Sequence, residues 1–149
     1  MPRVINQEGN VQMVRYTRRI YQGWLILISA ALVLQLYLAG YGVFAFKGLP
    51  PFDPHRALAG WLHLAFLIAV GLAFAARVPW RFTGISFGLF VLMTMQYGLA
   101  FSSVRSIAAL HVVNGVLIFV ITLYLTWKML RLPSAATAPA GAPAPAITR

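Results

Sequence analysis

Four long apolar runs dominate the pattern of hydrophobic and polar positions along the chain. They occupy residues 23–46, 57–76, 82–101 and 106–130. About 20 apolar residues in a helix cross the roughly 30 Å of hydrocarbon in a bilayer. The connectors between the runs are short and carry proline, glycine or arginine, so consecutive helices must run antiparallel. The pattern therefore predicts an all-α integral membrane protein, an up-down-up-down bundle of four helices.

The regions outside the bundle differ from it in composition. Residues 1–19 form a polar, basic segment, residues 20–132 contain the bundle, and residues 133–149 form a tail rich in alanine and proline. Such a tail has too little apolar bulk to pack and is predicted to be disordered. The first apolar run is longer than the core of a signal peptide and follows a long polar segment, so it is predicted to be a retained helix.

Composition and charge agree with a membrane protein. The chain is 60% hydrophobic and 9% charged, whereas soluble domains carry about 25% charged residues. Its formal charge of +10 comes from twelve Lys and Arg residues that lie at the edges of the apolar runs or in the tails. A nucleic-acid groove needs basic and aromatic residues interleaved on one surface. We therefore expect the lipid bilayer and other membrane subunits as partners, and no nucleic acid.

The basic residues also predict the orientation. Nine of them lie in the N-terminal segment, the second connector and the C-terminal region, and three lie in the first and third connectors. Because cytoplasmic loops are enriched in Lys and Arg, both termini are predicted to be cytoplasmic, in a multi-pass protein of the bacterial plasma (inner) membrane.

Several kinds of chemistry are excluded by residues that the chain lacks. It has no cysteine, which excludes disulfides, thiolate-bound metals and iron–sulfur clusters. Its two acidic residues, Glu8 and Asp53, lie outside the apolar runs. A carboxylate proton relay through the membrane therefore has no residues to use. No nucleophile–base pair can be assembled either, so we expect no catalytic residues and no enzyme acting alone.

Polar residues within the apolar runs form a weak internal repeat. Each helix hairpin carries a glutamine in its first helix and a histidine at the start of its second, so that Gln35 and His55 correspond to Gln96 and His111. A pseudo-twofold axis along the membrane normal would bring His55 and His111 to equivalent depths on facing helices. That geometry suits two axial ligands on one haem iron. His63 with His111 is an alternative pair, at estimated depths of roughly 9 Å and 7 Å.

The same residues resemble a known family. The motifs are His55-Arg56-Ala57-Leu58-Ala59 opening the second helix, Gln96 in the third and Ala109-Leu110-His111 opening the fourth. Over residues 34–127 they resemble one four-helix half of the haem A synthases, and also a small uncharacterised bacterial family of four-helix membrane proteins with the same His-Arg and Leu-His signatures. The resemblance implies a haem-binding bundle with His55 and His111 as ligands.

The chain departs from the haem A synthases at three points. Phe52 stands where that family carries an acidic residue, the cysteine pair of many bacterial members is absent, and only one half is present. Synthase activity is therefore not expected.

A bound haem b would need further residues around its ligands. Its propionates need cations at the water interface, and Arg56 and Arg105, with Lys47 as a third candidate, lie on the same side of the membrane as the histidines. Asn114 shares the helix face of His111. The candidate cofactor-binding residues are therefore His55, His63, His111, Arg56, Arg105, Gln96 and Asn114.

Three functions follow from this pattern. The first is a haem b-binding, cytochrome-like subunit that transfers electrons or holds haem in a larger membrane complex. The second is a redox-silent accessory subunit at the edge of a respiratory or photosynthetic complex, with a chlorophyll-type pigment or no cofactor. A small transporter is the third, and the missing intramembrane acids disfavour it.

Overall fold

A computed structural model describes residues 2–44 and 53–132, with side chains from Gly9 onward in the first segment and from Pro54 onward in the second. It contains four helices, α1 (Pro2–Phe44), α2 (Asp53–Ala75), α3 (Trp80–Ala100) and α4 (Arg105–Leu130), and no strand within these two segments. Each helix is long and apolar enough to cross a membrane. The predicted fold class is confirmed. Lys47, Phe52 and the tail at 133–149 lie outside the described residues.

The first helix is much longer than its apolar run. It begins at Pro2 and continues through the basic segment for 43 residues. Extending an existing helix by one residue costs little compared with nucleating a new one, and no proline interrupts the chain between Pro2 and Pro50. The second helix also begins before its apolar run, at Asp53. Pro54 is tolerated in its first turn, because the backbone N–H groups there have no partner within the helix and the missing N–H of proline costs no hydrogen bond.

The four helices form a closed ring of neighbours. Close backbone contacts join α1 to α2, α2 to α3, α3 to α4 and α4 to α1. Among the described residues the diagonal pairs, α1 with α3 and α2 with α4, have no Cα atoms within 8 Å of each other. The connector from α2 to α3 is short because Arg77 adopts a left-handed conformation, with φ at 48°. The N–H of Val78 then donates to the carbonyl of Ala73 and closes the helix end.

The two hairpins, α1–α2 and α3–α4, bury equivalent positions. Adding 61 to the numbers of the buried α1 residues Tyr21, Leu25, Ile28 and Leu32 gives the buried α3 residues Phe82, Ser86, Leu89 and Met93. Adding 56 to the buried α2 residues Leu62, Phe66, Ala69, Val70 and Ala73 gives the buried α4 residues Ile118, Thr122, Leu125, Thr126 and Met129. The difference between the two offsets reflects the longer connector of the first hairpin. The hairpins are therefore related by a pseudo-twofold axis along the bundle.

Side chains close the bundle at the end where α2 and α4 finish, which we call the basic end. The hydroxyl groups of Tyr21 and Ser86 lie 2.6 Å apart and join the diagonal helices α1 and α3 across the centre. Gln22 donates to the carbonyl of Met129 at 2.7 Å, and the indole of Trp24 donates to the carbonyl of Ala65 at 2.9 Å. Polar groups within a membrane must find partners inside the protein, and here they fill the core. Open space is left toward the opposite end.

Candidate functional site

The same hydrogen-bonded pair occurs in each hairpin. The side-chain amide of Gln35 donates to the carbonyl of His55 at 2.9 Å, and Nδ1 of His55 lies 3.2 Å from the carbonyl oxygen of Gln35. In the second hairpin Gln96 donates to the carbonyl of His111 at 2.9 Å, and Nδ1 of His111 lies 3.3 Å from the carbonyl oxygen of Gln96. A carbonyl oxygen only accepts, so each Nδ1 carries the proton and each neutral ring keeps a lone pair on Nε2.

The two histidine rings meet across the centre of the bundle. His55 on α2 and His111 on α4 have ring centroids 6.2 Å apart, although they lie on diagonal helices. An imidazole nitrogen binds a first-row metal ion at about 2.0–2.1 Å and lies about 1.1 Å from the centre of its own ring. Two imidazoles on opposite sides of one metal ion would therefore have centroids about 6.2–6.4 Å apart. The observed spacing matches that separation.

Two adjoining cavities lie beside the histidine pair. The larger holds about 400 Å³, within the roughly 300–1,000 Å³ typical of ligand sites. Its wall includes His55, His111 and small side chains from all four helices: Ala39, Ala59, Ala100 and Ala108. The smaller cavity, of about 130 Å³, is also lined by both histidines and by the exposed side chains of Leu36 and Val116. Small residues on both sides leave room for a flat molecule next to the rings.

The two pairs differ in how their glutamines are supported. Nδ2 of Asn114 donates to Oε1 of Gln96 and, at 2.9 Å, to the carbonyl of Leu92. In the first hairpin Leu58 stands at the position equivalent to Asn114, and Oε1 of Gln35 is buried with no hydrogen-bond partner among residues 2–44 and 53–132. The amide nitrogen of Gln35 also lies 3.4 Å from Nε2 of His55, which is a weak contact. His111 is therefore held by a longer network than His55.

His63 lies on another face of α2. Its Nε2 is 3.0 Å from the hydroxyl of Thr94, its ring stacks on Phe90 at 5.1 Å, and Tyr97 lies 5.4 Å away. All three partners belong to α3. The structure thus brings His55, rather than His63, beside His111.

The predicted cationic residues occupy different places. Arg56 lines the larger cavity, and Arg105 is exposed at the start of α4, where it lines neither of the two cavities. Within the described segments no group of three or more His, Cys, Asp or Glu residues could hold a metal ion. A haem iron takes only its axial ligands from the protein.

Sequence reasoning missed two residues of this region. Met93 lines both cavities, and Tyr97 lines the larger one. Tyr97 shares a helix face with Thr94, three residues earlier, and that spacing was the available signal. Met93 gave no signal, because a methionine in an apolar run resembles any other core residue.

The fold and site together define a multi-pass four-helix membrane protein with a histidine pair at its centre. Residues 35–104 match a family of unknown function, DUF6220. The matched segment includes Gln35, His55 and Gln96 and ends before His111. No curated protein and no solved structure matches the chain. The resemblance to the haem A synthases stays a prediction.

Proposed function

We propose that the chain binds one haem b between α2 and α4, with His55 and His111 as axial ligands, and serves as an electron-transfer or haem-holding subunit of a larger membrane complex. The observation that carries the proposal is the 6.2 Å separation of the two ring centroids, because it fits two imidazoles on one iron. The histidine pair also lies within the segment that resembles the haem A synthases.

The hydrogen bonds of the two rings support ligation. Metal-bound histidines almost always donate their second ring N–H to a carbonyl, carboxylate or water. Here Nδ1 of each ring donates to the carbonyl of a glutamine on the neighbouring helix. Nε2 is then the metal-binding atom. Nε2 of His111 has no hydrogen-bond partner in the described segments, and at His55 the metal would replace the 3.4 Å contact with the Gln35 amide.

The surroundings fit the size and charge of a haem. The larger cavity extends from the histidine pair toward the end opposite the basic end, and Arg56 lines it. The smaller cavity extends from the pair toward the basic end, as far as Leu62 and Ile118. A guanidinium at that place would bind a propionate, since Arg pairs with carboxylates in a forked geometry. Gly115 allows the side chain of Gln96 to approach α4 closely, because a Cβ there would lie 3.1 Å from the glutamine amide nitrogen. When bound, the haem would supply one-electron chemistry, and two histidine ligands would leave no position on iron for a substrate.

We also propose that the basic end faces the cytoplasm of a bacterial plasma membrane. Of the nine Lys and Arg side chains that the structure describes, two lie toward the other end, Arg56 and Arg105. Seven lie at the basic end: Arg15, Arg18, Arg19, Arg77, Arg81, Lys128 and Arg131. Lys128 and Arg131 both stack on the ring of Trp127, at 4.5 and 4.4 Å. Interfacial tryptophans and cytoplasmic basic residues are typical of this arrangement.

Absorption spectroscopy of the purified protein tests the haem. Protein expressed with ample haem should give a reduced-minus-oxidised spectrum with a b-type band. His55→Ala and His111→Ala should each abolish the low-spin spectrum with two histidine ligands, because each removes one axial ligand. His63→Ala is the matched control, since its ring faces α3, and it should keep the spectrum. A colourless wild-type protein, or unchanged haem content in His111→Ala, would refute the proposal.

A further inference from the structure

The pseudo-twofold axis makes two of the helix seams equivalent, and their residues differ in polarity. The α2–α3 seam carries Arg56, Gly60 and His63 on α2 and Phe90, Thr94 and Tyr97 on α3. The offsets that relate the buried cores also give the equivalent positions of the α4–α1 seam. Adding 56 to the α2 residues gives Val112, Val116 and Phe119 on α4, and subtracting 61 from the α3 residues gives Ser29, Val33 and Leu36 on α1. Apart from Ser29, the residues at these equivalent positions of the α4–α1 seam are apolar. The polar groups of the α2–α3 seam are therefore not needed to build this kind of helix pair.

Contacts within the α2–α3 seam leave one donor unused. Nε2 of His63 and the hydroxyl of Thr94 are 3.0 Å apart, and Thr94 donates to the carbonyl of Phe90. His63 must therefore donate to Thr94, which leaves its Nδ1 as an acceptor. The ring of Tyr97 contacts His63, but its hydroxyl makes no hydrogen bond within the described segments. A Cβ on Gly60 would be in ordinary van der Waals contact with that hydroxyl, at 4.0 Å, and Gly60 itself is exposed.

This polar seam lies at membrane depth and is open on its outer side. Thr94 and Gly60 are exposed, and His63 and Tyr97 are half-buried. His63 is ten residues from the start of α2, or about 15 Å along the helix. Polar groups that face hydrocarbon are costly unless a partner satisfies them. The seam therefore favours a ligand that arrives through the membrane and carries hydrogen-bond acceptors.

We propose that the α2–α3 seam binds the headgroup of a membrane quinone. A quinone is a flat ring with carbonyl acceptors, and its apolar tail keeps it in the bilayer. The hydroxyl of Tyr97 would donate to one carbonyl, and the ring would lie on the exposed backbone of Gly60, next to His63 and Tyr97. A phospholipid headgroup fits less well, because its phosphate would need several cations and Arg56 is the one cation among the described residues that form this seam. The proposal rests on the seam alone and does not depend on a bound haem.

Quenching of tryptophan fluorescence by decylubiquinone tests the site in detergent. Trp61, beside Gly60, is 71% exposed and provides a reporter close to the seam. Wild-type protein should show saturable quenching. Tyr97→Phe keeps the ring and removes only a hydroxyl that makes no hydrogen bond to the described residues, so it should weaken binding about 3- to 10-fold, the loss expected for one hydrogen bond. Tyr41→Phe is the matched control, because this tyrosine stacks on Tyr37 away from the seam, and it should bind like wild type.

A second variant gives the seam the residues of its apolar counterpart. The combination of His63→Phe, Thr94→Val and Tyr97→Leu uses side chains that the fold accommodates at the equivalent positions of the other seam. It should lose more than tenfold in quinone affinity. Linear, unsaturable quenching of the wild type, or equal affinity in the wild type and both variants, would overturn the proposal. In either case the haem spectrum still reports separately on His55 and His111.

Discussion

Replacing Asn114 with leucine would give the second hairpin the residue that the first one has at the equivalent position, Leu58. The change removes the donor to Oε1 of Gln96 and the bond to the carbonyl of Leu92. Leu92 lies within α3 and keeps its helical hydrogen bond, but Oε1 of Gln96 would be left without a donor. A buried acceptor without a partner costs about 1–3 kcal/mol, and hydrogen bonds within membranes average about 0.6 kcal/mol with a maximum near 1.7.

We therefore expect Asn114→Leu to lower the free energy of unfolding by about 1–2 kcal/mol. The measurement is unfolding of the haem-free protein in mixed micelles by titration with a denaturing detergent. Val113→Leu is the control on the same helix, because Val113 is 63% exposed and has open surroundings, and it should unfold like wild type. Equal stability of Asn114→Leu and wild type would refute the view that this network holds Gln96.

The same reasoning ranks the two histidines. The glutamine that supports His55 has a buried Oε1 that finds no partner in the described part of the chain, whereas the glutamine that supports His111 is anchored by Asn114. With haem bound, we expect added imidazole to replace His55 before His111, and Asn114→Leu to reduce that difference. If imidazole replaces His111 first, the network does not decide which ligand is held more firmly.

Two further predictions concern the site and the orientation. Gly115→Ala should reduce haem retention and destabilise the protein by about 1 kcal/mol, because its Cβ would lie 3.1 Å from the amide nitrogen of Gln96. Gly88→Ala is the control, because no described atom lies within 4 Å of its Cβ. Equal haem retention in the two variants would contradict the argument. A reporter that is active only in the periplasm should be silent when fused after Arg149 and active when inserted after Gly48. The reverse pattern would place the basic end on the periplasmic side.

The number and type of the helices were determined by the sequence, because only a long apolar helix satisfies its own backbone while crossing hydrocarbon. The internal repeat also predicted which residues would be equivalent, and the structure places Gln35 with His55 and Gln96 with His111 in matching pairs. Such predictions succeed because they depend on properties of one helix or one hairpin.

The repeat predicted that His55 faces His111, but the choice between this pair and His63 with His111 was decided only by the tertiary structure. Counting residues from the start of each helix favoured His63 with His111, because it assumed that α2 and α4 begin at one common depth. In the structure His55 is two residues from the start of α2 and His111 is six from the start of α4, yet their rings meet. Helix ends depend on connector length and on how each helix slides against its neighbours, and these follow from packing between distant parts of the chain.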